Sequence, residues 1–191
     1  RDSVIALNTN AVLADRLLKQ PKLESLDTIL TSLHTTEDDI FRNRLGGRNV
    51  KKVMDNIVAL SRHGYDVTIN YSLGPYNRNE FPKVLDFATD NGILLKAIAF
   101  VRPNESPRFY DGQWVDPEWI TGLLESRGAQ RLAASESFGG YSTTWDINGS
   151  KVKVKNIAQG RLETDFCEGC PHTKSCGEGI YGLRVGVDGL W

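Results

Sequence analysis

Three cysteines, Cys167, Cys170 and Cys176, carry all the thiol chemistry of this 191-residue chain, and they fall together in FCEGCPHTKSC, spaced C-x2-C-x5-C around His172. Two thiolates three positions apart can share one ion across a tight turn, and Gly169 suits such a turn. Three uses stay open on spacing alone: a structural zinc site with His172 as fourth ligand, an iron–sulfur cluster, or redox thiols. His172 lies only two residues from Cys170 and reads better as a solvated loop histidine than as a ligand. Three cysteines cannot all pair, and a chain of this length needs no disulfide staples, which disfavours a secreted framework and points to a reducing, cytoplasmic setting.

A second set of candidates sits where strand-like runs end. Asn8, Thr9 and Asn10 follow the first run, Ser32 and His34 the second, Asn70 and Ser72 the third, and Arg102 the fourth. Parallel β/α sheets bind ligands beyond the carboxyl ends of their strands, which makes these polar exits the places to watch. Arg102 suits an anionic substrate group or a surface ion pair, and Arg184, near the cysteines, is read the same way. His34 is a catalytic acid or a histidine bonded to backbone. Arg42, Arg44 and Arg48 around Gly46-Gly47 read better as a solvated basic turn before a helix than as a phosphate loop. Trp114, Trp119 and Trp145 read as core and hairpin packing. No Ser-His-Asp or paired-carboxylate arrangement emerges, so hydrolysis has no independent support.

The elements that must position these residues follow from periodicity. Apolar runs at Val4 to Leu7, Thr28 to Thr35, DVTINYSL and LLKAIAFV predict four strands. Between them AVLADRLLKQ, TEDDIFRNRL, NVKKVMDNIVALSRHG and NEFPKVLDFATDNG keep helical spacing. In the last two, Val50, Val53, Met54, Ile57, Val58 and Leu60, and then Phe81, Val84, Leu85 and Ala88, form the inward stripes. Alternation of this kind predicts βαβ units and a parallel sheet. Beyond Arg102 the pattern changes: DPEWITGLLESRG predicts a helix capped by Asp116, and YSTTWDINGSKVKVKNI a hairpin through Asn148-Gly149. The expected organisation is residues 1–105 as βα units and 106–191 as a small antiparallel, cysteine-containing appendage. Hydrophobic content of 40%, charged content of 25% and a net charge of −1 give no electrostatic case for nucleic acid or an anionic membrane. No apolar run approaches the roughly 18 to 20 residues of a membrane helix.

The N-T-N-A turn at Asn8 to Ala11, the L-T-S-L-H strand exit, the Arg-rich stretch ending in Gly46-Gly47 before a long helix, F-C-x-x-C and G-L-R-V-G-V-D-G occur in an order that resembles the radical S-adenosylmethionine (SAM) family. The likeness is greatest to its molybdenum-cofactor GTP 3′,8-cyclase group. The resemblance implies a partial TIM barrel in 1–105, the start of an auxiliary-cluster region in 106–191, and an enzyme using SAM and [4Fe-4S] clusters. It implies SAM contacts at Asn8, Thr9 and Ser32, with His34 standing where the family has aspartate. It implies cluster ligands at Cys167 and Cys170, with Cys176 added, and substrate contacts at Arg102 and Arg184. The family's C-x3-C-x2-C loop has no counterpart here, so the stretch is expected to be part of a longer protein and inactive alone. Departures at Thr68, at Ile98 to Pro103 and at Gly182 set GTP against a peptide or another small metabolite as substrate. Cys176 gives a pattern similar to the auxiliary domains of peptide-modifying members. A zinc-stabilised β/α binding module is the alternative outside this family.

Overall fold

The computed structural model of the chain describes residues 3–100, 112–137, 140–156, 165–171, 185–186 and 188–190. The four expected strands are present as β1 (Ala6–Thr9), β2 (Thr28–Ser32), β3 (Asp66–Leu73) and β4 (Leu94–Ala99). Each pairs in parallel with its neighbour. Between them run α1 (Asp15–Leu18), α2 (Asp38–Leu45), α3 (Val50–Arg62) and α4 (Phe81–Asp90). After β4 come α5 (Glu118–Ser126), β5 (Gln130–Ser137), β6 (Gly140–Ile147) and β7 (Ser150–Lys155). The seven strands form one open sheet in the order β1-β2-β3-β4-β7-β6-β5, a mixed α/β fold whose sheet does not close.

The expected hairpin is antiparallel and turns at Asn148 and Gly149, whose φ values of 53° and 82° are those of a type I′ turn. It does not stand apart from the βα units. β7 lies parallel to β4, because Val152 and Val154 belong to the same core face as Leu95 and Ala97. Ser150 Oγ also donates to the Thr89 carbonyl at the end of α4 at 3.2 Å. β5 continues the sheet beyond the hairpin; Gln130–Ser137 is polar and carries no alternation that marks it as a strand in sequence.

The inward stripes fall where the spacing puts them. Val50, Val53, Ile57 and Leu60 of α3 are buried, with Met54 and Val58 partly so. All four expected residues of α4, Phe81, Val84, Leu85 and Ala88, are buried. In α5, Ile120 and Leu124 are buried, and Asp116 Oδ1 accepts from Glu118 N–H at 2.9 Å. Trp145 is 2% exposed, as a packing residue should be, but Trp114 is 39% exposed and does not belong to the core.

AVLADRLLKQ departs most from expectation. Only Asp15–Leu18 is helical, and Val12 and Leu13 are exposed. Thr9 Oγ1 accepts from Ala11 N–H at 3.1 Å, Asn10 Oδ1 accepts from Val12 N–H at 3.1 Å, and Ala11 adopts φ 57°. These side-chain turns compete with helix for the backbone amides. A left-handed residue then delays the helix past residues 12 and 13.

Candidate functional site

One sheet face is covered by helices and the other carries polar side chains. Successive residues of a strand point to opposite faces. In β3 and β4, Ile69, Tyr71, Leu95 and Ala97 are buried in the helix-side core, so Asn70, Ser72, Lys96 and Ile98 project from the opposite, open face. Register then aligns a row across five strands. Ser32 stands beside Asn70, Asn70 beside Lys96, Lys96 beside Lys153, and Lys153 beside Thr144. Asn8, next to Leu30, belongs to the same face one step before that row.

Asn8 and Ser32, expected at the SAM end, are therefore brought to one face, both exposed near the carboxyl ends of their strands. Thr9 is separated from them. It stands beside Thr31 on the helix side, and its hydroxyl closes the turn onto Ala11. A carboxamide and a hydroxyl are the donor and acceptor types that the amino, carboxylate and ribose hydroxyl groups of SAM require; Thr9 is turned to the other face, where its hydroxyl serves the turn.

His34, just past β2, accepts from Ser72 N–H through Nδ1 at 3.1 Å. Burial lowers its pKa, so it is a neutral imidazole whose remaining proton is on Nε2. Asn77, fully buried, ties the strand exits together. Its Nδ2 donates to the carbonyls of His34 and Ser72 at 3.2 and 3.0 Å, and its Oδ1 accepts from Gly74 N–H at 2.9 Å. Alongside lies Glu80, 5% exposed. Its carboxylate accepts from Thr35 Oγ1 at 2.8 Å, Thr36 N–H at 3.4 Å and Lys83 Nζ at 3.0 Å. Burial pushes this carboxyl up, but the bonds from Lys83, Thr35 and Thr36 outweigh it and hold the pKa below the ordinary glutamate value. Neither Asn77 nor Glu80 is among the residues singled out from the sequence, where Glu80 figures only in the helical stretch NEFPKVLDFATDNG.

The Arg42–Arg48 stretch offers no vacant helix end. The first amides of α3 are taken by Asn49 Oδ1, which accepts from Lys52 N–H at 2.8 Å, and by Asp38 Oδ1, which accepts from Val50 N–H at 2.9 Å. The solvated basic turn is the reading that fits.

Of the cysteines, Cys167 and Cys170 are described. Cys167 ends a 3-10 turn, Asp165–Cys167, and Cys170 N–H donates to the Cys167 carbonyl at 3.2 Å with Gly169 at φ 73°. Both thiols are half-buried and neither is in a disulfide. A closed turn presenting two thiols matches the donor set of two vertices of a cluster or of a tetrahedral ion. Cys176, His172, Arg102 and Arg184 lie outside the described residues. No group of three metal-binding side chains occurs among the described residues, and no helix there is long and apolar enough to cross a membrane.

The model of the Radical SAM superfamily matches residues 2–88. The GTP 3′,8-cyclase of Lactiplantibacillus plantarum is 22% identical over 177 residues, covering 92% of this chain and 53% of that protein. The GTP 3′,8-cyclase of Clostridium botulinum is also 22% identical, covering 92% of this chain and 54% of that protein. The chain thus spans about half the length of the curated relatives it matches. Among solved structures, Streptococcus suis SuiB bound to its precursor peptide SuiA aligns with TM-score 0.48 and 18% identity, over 65% of this chain and 30% of that one.

Proposed function

We propose that the open face of the parallel sheet is the SAM and substrate surface of a radical SAM enzyme, a reading supported by the match of residues 2–88 to the Radical SAM superfamily model. The observation that carries this reading is the register of Ser32 with Asn70 and Lys96, which sets a hydroxyl, a carboxamide and an amine in one row across β2, β3 and β4, level with the end of β2. Asn8 and Ser32 hold the SAM end, Thr9 shapes the turn beside it, and the His34–Asn77–Glu80 network keeps the exits of β2 and β3 in place.

When bound, SAM and an iron–sulfur cluster supply one-electron chemistry and a carbon radical that abstracts hydrogen. The chain's own residues bind, orient and exclude water. The helix side is filled by the apolar core, which leaves the opposite face to carry the polar groups. Cys167, Cys170 and Cys176 hold an auxiliary [4Fe-4S] cluster, and Arg102 and Arg184 face the substrate. Alignment with GTP 3′,8-cyclases over 92% of the chain favours GTP as the substrate, and the resemblance to that group carries with it a role in molybdenum-cofactor biosynthesis in the cytoplasm. The extra Cys176 favours a peptide as the second substrate reading.

The test uses the full-length protein, reconstituted anaerobically with iron and sulfide and given a strong reductant. Release of methionine and 5′-deoxyadenosine from SAM is expected, with Ser32→Ala weakening SAM binding severalfold. Stoichiometric zinc with no cluster absorption and no SAM cleavage would sink this reading and favour a zinc-stabilised binding module. GTP binding, measured on the same preparation, separates the nucleotide from the peptide reading.

A further inference from the structure

β7 places a lysine at every second position of one face. Lys151, Lys153 and Lys155 alternate with Val152 and Val154, which are 0% and 3% exposed in the helix-side core, so all three side chains leave the strand on the opposite face, Lys151 exposed, Lys153 half-buried and Lys155 buried. Their cross-strand neighbours differ. Lys151 lies opposite Asp146 of β6, a carboxylate in register. Lys155 lies between Ser142 of β6 and Ile98 of β4. Lys153 lies between Thr144 of β6 and Lys96 of β4.

At Lys153, then, two lysines stand side by side on adjacent strands, their backbones roughly 5 Å apart by sheet spacing. Like charges directly opposite one another destabilise a sheet, and β7 does not need them to fold, since its packing comes from the two valines. The Lys153 side chain has no hydrogen-bond or ion-pair partner among the described residues, whereas Lys96 and Lys155 each engage another group. Its surroundings are more enclosed than a surface patch: Ser142 is 2%, Lys155 5% and Thr144 8% exposed. In one row with Ser32 and Asn70, it continues the polar surface two strands beyond Asn70.

We propose that Lys153, with Lys96 beside it and the Thr144 hydroxyl opposite, forms an anion site on the open face of β4 and β7 that receives the phosphate or carboxylate group of the substrate. This inference rests on the reading of the open face as a substrate surface, and it names the substrate class that face takes. The amine supplies a point charge and rotatable donors, Thr144 a hydroxyl donor, and Lys96 a second positive charge.

Titration calorimetry on the full-length protein tests it, with inorganic tripolyphosphate and citrate as probes for phosphate and carboxylate. At least one probe should bind. Lys153→Gln should weaken that probe about tenfold or more, the loss of one charged hydrogen bond. Lys153→Arg should keep most of the affinity, and Lys52→Gln on the exposed start of α3 should change nothing. Lys153→Thr is the second variant should Lys153→Gln lower the melting temperature. Binding of neither probe, equal binding to wild type and Lys153→Gln, or equal weakening by Lys52→Gln would each overturn the site. SAM cleavage is read separately. Its absence with tripolyphosphate or citrate binding intact would remove the radical reading alone; cleavage with no probe binding would remove the anion site alone.

Discussion

The imidazole Nδ1 of His34 accepts the backbone N–H of Ser72, at 3.1 Å, just beyond the last ladder pair of β2 with β3. The ring takes the place of a strand carbonyl where β2 has ended. It packs edge-on to Tyr71, with ring centroids 6.1 Å apart. With Nδ1 committed as an acceptor and the pKa lowered by burial, His34 is a backbone-bonded neutral histidine and can offer a ligand only its Nε2–H.

The pH consequence has a definite sign. A histidine whose folded pKa lies below its unfolded value, near 6.5, binds fewer protons folded than unfolded across that interval. Its contribution to stability is complete above the unfolded value and is lost as pH falls through it towards the folded value. Wild-type urea midpoints should therefore drop between about pH 7.5 and about pH 5.5, and His34→Gln should flatten that slope while lowering stability at the higher pH. An unchanged slope in the variant would show that His34 does not carry it.

Glu80 gives a second, more acidic transition. Its folded pKa is held below 4.5. The stabilisation is present above the unfolded value and is lost as pH falls through the folded one. Glu80→Gln should cost about 1–3 kcal/mol near neutrality, because a buried charge-assisted acceptor of Thr35 and Lys83 becomes a neutral one. Thr35→Val should cost about 1 kcal/mol alone and less in the Glu80→Gln background. Strictly additive losses in the double variant would contradict a shared network.

What the sequence shows and hides follows from which forces set each element. α4 is legible residue by residue because burial of one stripe, Phe81, Val84, Leu85 and Ala88, decides it, and burial has a period. α1 is hidden because local hydrogen bonds from Thr9 and Asn10 decide it, and these override the apolar spacing of Val12 and Leu13. The open-face row is hidden for another reason. Ser32, Asn70, Lys96, Lys153 and Thr144 are brought together by register alone, from strands up to 121 positions apart in number, counting Ser32 to Lys153 as 153 − 32. Only the alternation K-V-K-V-K hinted that β7 had a charged face.

The hairpin provides a test of how firmly β7 is set against β4. Gly149 has φ 82° in the type I′ turn between β6 and β7. A side chain there meets no steric obstacle from neighbours, so the cost of Gly149→Ala is that of the left-handed backbone itself, about 1–2 kcal/mol. Chemical denaturation should show that loss with an unchanged slope. Since Lys153 is four residues from the turn, a variant that folds with normal register should retain its probe binding.

The cysteine turn separates metal binding from folding. Cys167 and Cys170 lie on a short closed turn, and neither belongs to the hydrophobic core under the sheet. A structural zinc ion is typically required for folding of the region it holds, whereas an auxiliary cluster serves the site it faces. In the full-length protein Cys170→Ser should therefore lower bound iron substantially and diminish the visible cluster absorption, because a serine oxygen is a poor ligand for a soft site. The far-ultraviolet circular dichroism of the sheet and its urea midpoint should stay close to wild type. Collapse of the folded signal on Cys170→Ser, or on stripping the metal with a chelator, would make the site structural and turn the assignment of Cys167 and Cys170 towards zinc.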